Sequence, residues 1–138
     1  MENGPARAEF WKEFISTRCE YPAQSLLRDQ LDHAELTEFC DCGCNSFRLR
    51  VDPVHAKPLL PPKADPKMGG HGAIYTADFH MPDDKALEII IFADDRGHLY
   101  FVEIDCCANS YPIPEDIVVA ERPFATWAAE GVFREPSG

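Results

Sequence analysis

Basic residues are scarce in this sequence. Thirteen Lys and Arg stand against twenty-four Asp and Glu, leaving a formal charge of −11. A surface of that sign repels phosphates, which argues against nucleic acid and against an anionic membrane as partners. It suits a basic protein partner or a cation, and it also keeps a small domain soluble. Long apolar runs are missing too, and no stretch approaches the roughly 20 residues that span a bilayer. Residues 1–9 have neither a basic n-region nor an apolar h-region, so the expected compartment is the reducing cytoplasm. The six cysteines are therefore read as thiols or metal ligands before disulfides.

Catalytic signatures are also wanting. There is no Gly-x-Ser-x-Gly elbow and no His-Glu-x-x-His pair. Gly69-Gly70-His71-Gly72 lacks the following helix that would aim N–H groups at a phosphate. No repeat or second core divides the 138 residues. A single domain, 1–138, is expected, burying roughly two-thirds of its unfolded surface.

What is present points to an α+β fold, a single antiparallel sheet of about five strands with N-terminal helices packed on one face. Pro5 suits a first helical position, and Phe10, Phe14 and Trp11, Ile15 recur at i, i+4 on a helix ending near Thr17. Pro22 opens a second helix on which Ala23, Leu27 and Leu31 align. Residues 36–40 and 47–51 read as a hairpin, with Phe47, Leu49 and Val51 alternating with arginines. Residues 53–72 form a Pro/Gly-rich loop with basic character (His55, Lys57, Lys63, Lys67) that cannot enter a sheet interior. Residues 74–81 read as a strand.

The hairpin over residues 87–105 is the firmest element. Its first strand is almost wholly apolar, as in an inner strand covered on both faces. Asp94-Asp95-Arg96-Gly97 fits a turn with Gly97 in the left-handed position. Patterning sets Ile89 against Val102, Leu87 against Ile104, Phe92 against Leu99, Ile90 against Phe101 and Glu88 against Glu103, because a one-residue slip would mix the faces. Residues 117–119 read as a short strand, and Pro123 starts a last helix carrying Phe124 and Trp127.

Three constellations carry chemistry. Carboxylates gather at one end of the hairpin: Asp83, Asp84, Glu88, Glu103, Asp105, Glu115 and Asp116. They make a negative patch that would steer a basic partner, with solvated turns as the plainer account. Glu88 and Glu103, read as cross-strand neighbours, are also a candidate acid/base pair for a hydrolase. The plainer account is a solvated sheet end relieved by Arg48 or Arg50, and this is favoured because no further catalytic group stands near. Cys40, Cys42, Cys44 and Cys106 are candidate zinc ligands. A single residue between the first three is too short for a zinc knuckle, and Cys106 and Cys107 on a strand point to opposite faces. Buried thiols are favoured, so no cofactor is expected and zinc is the alternative. His80 and Asp78 share a strand face with Thr76, and His98 flanks the turn, where structural roles are favoured.

Cys42-Gly43-Cys44 turning into the 47–51 strand, and Asp95-Arg96-Gly97 leading into 99–104, resemble a type of small uncharacterised bacterial protein with a Cys-Gly-Cys turn and a Gly-x-Leu hairpin. The chain is also broadly similar to immunity proteins of contact-dependent and other polymorphic toxin systems. The resemblance covers about residues 22–117. It implies a small acidic α+β domain that caps a basic toxin, with a partner class but no site residues to carry over. The basic loop 57–67 departs from a uniformly acidic binding face. The function expected is thus a non-enzymatic binding protein, an immunity protein that neutralises a basic toxin domain. A zinc-stabilised domain and a carboxylate-pair hydrolase are the alternatives.

Overall fold

In the computed structural model, residues 4–40, 45–58, 72–94, 96–107, 113–114 and 117–128 are described. Pro5 occupies the first position of helix α1 (Pro5–Arg18), where its missing N–H leaves nothing unpaired. Trp11, Phe14 and Ile15 are buried along it, while Phe10 is largely exposed. Helix α2 (Gln24–Asp32) begins two residues after Pro22 and buries Leu27 and Leu31. Gln24 joins the two helices: its amide donates to the Ile15 and Ser16 carbonyls at the end of α1, and its oxygen accepts from the Tyr21 N–H. Carbonyls that the last turn of α1 cannot pair internally are satisfied in this way.

Six strands follow: β1 (Ala34–Phe39), β2 (Phe47–Val51), β3 (Ala73–His80), β4 (Ala86–Ala93), β5 (Leu99–Cys106) and β6 (Ala125–Ala128). They form one antiparallel sheet in the order β1-β2-β5-β4-β3-β6. The α+β class with N-terminal helices is as expected, with six strands in place of about five. Phe47, Leu49, Val51, Tyr75, Ala77, Phe79, Leu87, Ile89, Ile91, Val102 and Ile104 form one buried cluster with the helix residues. Phe14 packs edge-on to Phe79 at 5.1 Å, and Tyr21 to Tyr75 at 5.2 Å. No described helix is long and apolar enough to cross a membrane.

Three expectations are corrected. First, β4 and β5 pair two residues out of the expected register: Leu87 faces Cys106, Glu88 faces Asp105, Ile89 faces Ile104, Ile90 faces Glu103 and Phe92 faces Phe101. The turn is longer than supposed, closed by the Asp94 N–H to the His98 carbonyl at 2.8 Å. A bulge beside Phe92 and Ala93 then adds one more residue. Two one-residue additions cancel in parity, so the side chains beyond the bulge keep their expected faces while their cross-strand partners change. Leu99, expected opposite Phe92, lies before the bulge and instead faces Ala93 in the core. Gly97 is left-handed at φ 81° as predicted. Second, the segment after Pro123 is the strand β6, not a helix. Phe124 N–H bonds the Asp78 carbonyl at 2.8 Å, and the unpaired edge of β3 captures the chain. Third, residues 117–119 form no strand; just beyond them, the Ala120 N–H reaches the His80 carbonyl at 2.9 Å. Of the Pro/Gly-rich loop, residues 59–71 lie outside the described residues. At its end Gly72 has φ +63°, and a Cβ there would stand 2.3 Å from the Ala93 carbonyl oxygen.

Gln30 on α2 locks the helices to the hairpin. It is fully buried. Its amide donates to the Gly97 carbonyl at 2.7 Å and the Lys57 carbonyl at 3.0 Å, while its oxygen accepts from the Leu99 N–H at 2.8 Å. Gln30→Ala strands buried backbone groups that each cost about 1–3 kcal/mol when unpaired. Urea unfolding of this variant is expected to show a loss of roughly 2–4 kcal/mol. Gln30→Glu keeps an acceptor for Leu99 but has no donor for the two carbonyls, so it is expected to be destabilising at neutral pH as well.

Candidate functional site

Alternation along the strands sends the core residues toward the helices and a different set to the opposite face. On that face, laterally paired positions form rows. One row runs Ala125, Asp78, Glu88, Asp105 across β6, β3, β4 and β5. The next runs Trp127, Thr76, Ile90, Glu103. A third runs Phe92, Phe101, Arg48, Glu38 across β4, β5, β2 and β1. Three carboxylates therefore stand side by side on adjacent strands, with Glu103 on the diagonal from Glu88.

The corrected register changes the partner of Glu88. Glu103 faces Ile90, so the expected Glu88–Glu103 couple is diagonal, and the directly opposed carboxylates are Asp78 and Asp105. The Asp78 and Glu88 carboxyl groups project side by side from directly paired positions of β3 and β4. Partial burial, followed by the closeness of Asp78, pushes the Glu88 carboxyl above its ordinary range, with smaller contributions from Asp105 and Glu103. Burial, followed by the Asp105 charge, likewise raises Glu103. Arg48 and Arg50 do not relieve this cluster. Arg48 pairs with Glu38 at 3.2 Å and lies over the Phe101 ring, and Arg50 pairs with Glu35 at 2.5 Å. None of the ion pairs among the described residues involves Asp78, Glu88 or Glu103.

Aromatic rings flank the carboxylates. Trp127 is 37% exposed beside Thr76. Phe124, 51% exposed, stacks on His80 with ring centroids 4.0 Å apart. Phe92 stacks on Phe101 at 5.5 Å. The expected structural role of His80 thus takes the form of a ring stack.

The remaining sequence candidates fall in different places. Asp83 and Asp84 lie exposed in the β3–β4 turn at the same end as Glu88. Both are left-handed, at φ 63° and 58°, a conformation Asp tolerates better than most residues. Turn geometry accounts for them without a partner. Asp105 is 6% exposed and is mostly withdrawn from the surface. Glu115 and Asp116 lie outside the described residues. Asp78 completes the row, and the sequence shows only its strand face. The alternation of β3 is legible, but the place of Asp78 beside Glu88 follows from the β3–β4 register.

Of the zinc candidates, Cys42 and Cys44 lie outside the described residues. Cys40 follows the edge strand β1, its N–H bonded to the Ser46 carbonyl at 3.0 Å. Cys106 lies two strands away on β5, buried, with Sγ 3.9 Å from Met81 Sδ. Among the described residues, no group of three or more His, Cys, Asp or Glu is placed to hold a metal ion. Cys19 is a buried thiol beside the Tyr75 hydroxyl, and burial pushes it up to about 12. At the far end of the sheet a cleft of about 540 Å³ is lined by His33, Arg50, Asp52, Asp94, Arg96 and His98, among others. The Nε2 of His98 is buried there without a hydrogen-bond partner.

Comparison of the chain with known protein families, with curated proteins and with solved structures gives no match.

A raised carboxyl pKa has a definite signature. The folded state binds the proton more tightly than the unfolded chain does, so the group favours folding most when protonated. That contribution is complete below the ordinary carboxylate range and is lost as pH rises through the raised folded value. Glu88→Gln removes the charge and keeps a donor toward Asp78. It is expected to stabilise the protein at pH 7 by about 0.2–1 kcal/mol, the scale of like-charge cross-strand neighbours, and to have less effect as pH falls below the carboxylate range. Thermal unfolding across pH measures it, and a variant less stable than the parent at pH 7 would contradict the assignment.

Proposed function

We propose that the protein is a binding module that engages a basic protein surface through the sheet face carrying Asp78, Glu88 and Glu103. The observation that carries this reading is a row of like charges held together on rigid strands, with no described cation paired to Asp78, Glu88 or Glu103. Arg48 and Arg50 are engaged with β1 carboxylates, and Arg122 with Glu20. Burial first, and then the neighbouring carboxylates, raise Glu88 and Glu103; an incoming Lys or Arg would offset the like-charge part, a gain available only in the complex. The flanking rings of Trp127, Phe124 and Phe101 would cover the alkyl stem of such a side chain and attract its charge. An immunity protein that neutralises a basic toxin domain is the specific form of this reading, supported by the net charge of −11 and the acidic face.

A Lys/Arg-rich peptide serves as the probe in a two-dimensional NMR titration. The largest shifts are expected at Asp78, Glu88, Glu103 and Trp127. Asp78→Asn with Glu88→Gln is expected to weaken binding about tenfold, or ~1.4 kcal/mol, and rising salt to weaken it further. Equal shifts over all acidic surface, Asp83 and Asp84 included, would mean non-specific charge attraction and would defeat the proposal.

The directly paired Asp78 and Glu88 also support a second reading, acid/base hydrolysis. Two carboxyl groups on directly paired strand positions, one of them raised, offer the unequal proton affinities that an acid/base pair needs. A hydrolytic activity lost in both Asp78→Asn and Glu88→Gln, with a bell-shaped pH profile, would favour it over binding.

A further inference from the structure

Cys106 and Cys107 stand at the end of β5. Along an extended strand, neighbouring side chains point to opposite faces, and adjacent thiols stay apart. Here the backbone turns at once. Cys107 has φ +50°, in the left-handed region that residues other than Gly, Asn and Asp seldom enter. Its N–H is fixed by the Ala86 carbonyl at 2.9 Å. The regular alternation of the strand therefore stops between the two residues, and their thiols lie close enough to influence each other. Cys106 is 1% exposed, whereas Cys107 is half-buried and reachable from solvent. The Lys85 ammonium lies near enough to favour thiolate at Cys106, against the larger opposing effect of burial.

We propose that Cys106 and Cys107 form a vicinal dithiol, a modification site that closes reversibly to a disulfide with low-molecular-weight disulfides and chelates thiophilic trivalent arsenicals. The site does not depend on the partner-binding reading. In the oxidation, the Cys107 thiolate attacks one sulfur of oxidised glutathione and releases the first glutathione thiolate. The Cys106 thiolate then attacks Sγ of Cys107 and releases the second. Two thiols have lost two protons and two electrons, and one glutathione disulfide has become two glutathiones. Consecutive Cα atoms are about 3.8 Å apart, shorter than the roughly 4.4–6.8 Å of ordinary disulfides, so the ring is strained and easily reduced. That suits a reversible mark better than a structural staple.

The test uses the folded chain, oxidised glutathione, iodoacetamide and trypsin. Arg122 precedes a proline that trypsin passes over, so Cys106 and Cys107 are the cysteines of peptide 97–134, while Cys40, Cys42 and Cys44 fall in 29–48. Peptide 97–134 is expected to lack two hydrogens, carry no adduct and regain both thiols with dithiothreitol. Phenylarsine oxide is expected to bridge the same peptide with loss of one water and to block its oxidation. Cys107→Ser should abolish both reactions, but the parent protein alone decides the outcome. Two alkylated cysteines after oxidation, a stable glutathione adduct on Cys107, or a disulfide joining 97–134 to 29–48 would each overturn the proposal.

Discussion

Strand β4 must satisfy two neighbours at once, and its register with both decides what the outer face of the sheet presents. On the helix side the demand is simple: Leu87, Ile89 and Ile91 are fully buried, and each such side chain contributes about 1.5–3 kcal/mol over exposure. That sum forbids any one-residue slip against β3 or β5, because a slip would turn all three to the opposite face. The outer residues of β4 must then accept whatever neighbours the buried face dictates. Glu88 lands between Asp78 and Asp105. Like charges opposed across strands cost about 0.2–1 kcal/mol per pair, which is small beside the core. The fold therefore tolerates the acidic row without being favoured by it.

Much of this architecture is legible from local pattern. The alternation of Phe47, Leu49 and Val51 with arginines places β2 half-buried, as observed. Pro5 marks the start of α1, and Gly97 marks the left-handed turn. The faces of β4, and of β5 from Phe101 onward, also follow from sequence, since parity survives any even error in register; only Leu99, before the bulge, turns to the core instead. Cross-strand partners do not, because a bulge at Phe92 and Ala93 leaves no trace in an apolar run. The candidate site inherits that difference. Its residue types and its face are readable, while the identity of each carboxylate's neighbour requires both registers of β4.

The end of the chain illustrates a different limit. Phe124 and Trp127 at a spacing of three suggest a helix after Pro123, yet four residues hold little intrinsic preference. The edge of β3 offers unpaired N–H and carbonyl groups, and an edge strand recruits any segment that can pair. Ala125–Ala128 does so, which carries Trp127 onto the outer face beside Thr76. The aromatic flank of the carboxylate row is thus a consequence of sheet completion, invisible to a local reading of the sequence.

Backbone conformation adds a constraint that composition cannot express. Cys106 and Cys107 look like any adjacent pair on a strand until φ of Cys107 is known. The left-handed residue lies one position beyond the end of β5, where the Cys107 N–H still completes a rung with Ala86. Asp105, directly before Cys106, faces Glu88. The last rungs of β4 and β5 therefore hold both the like-charge row and the thiol pair. A change in the Cys107 backbone on ring closure would act first on the hydrogen bond to Ala86, two residues from Glu88, so the chemistry of the strand end and the electrostatics of the outer face share one piece of backbone.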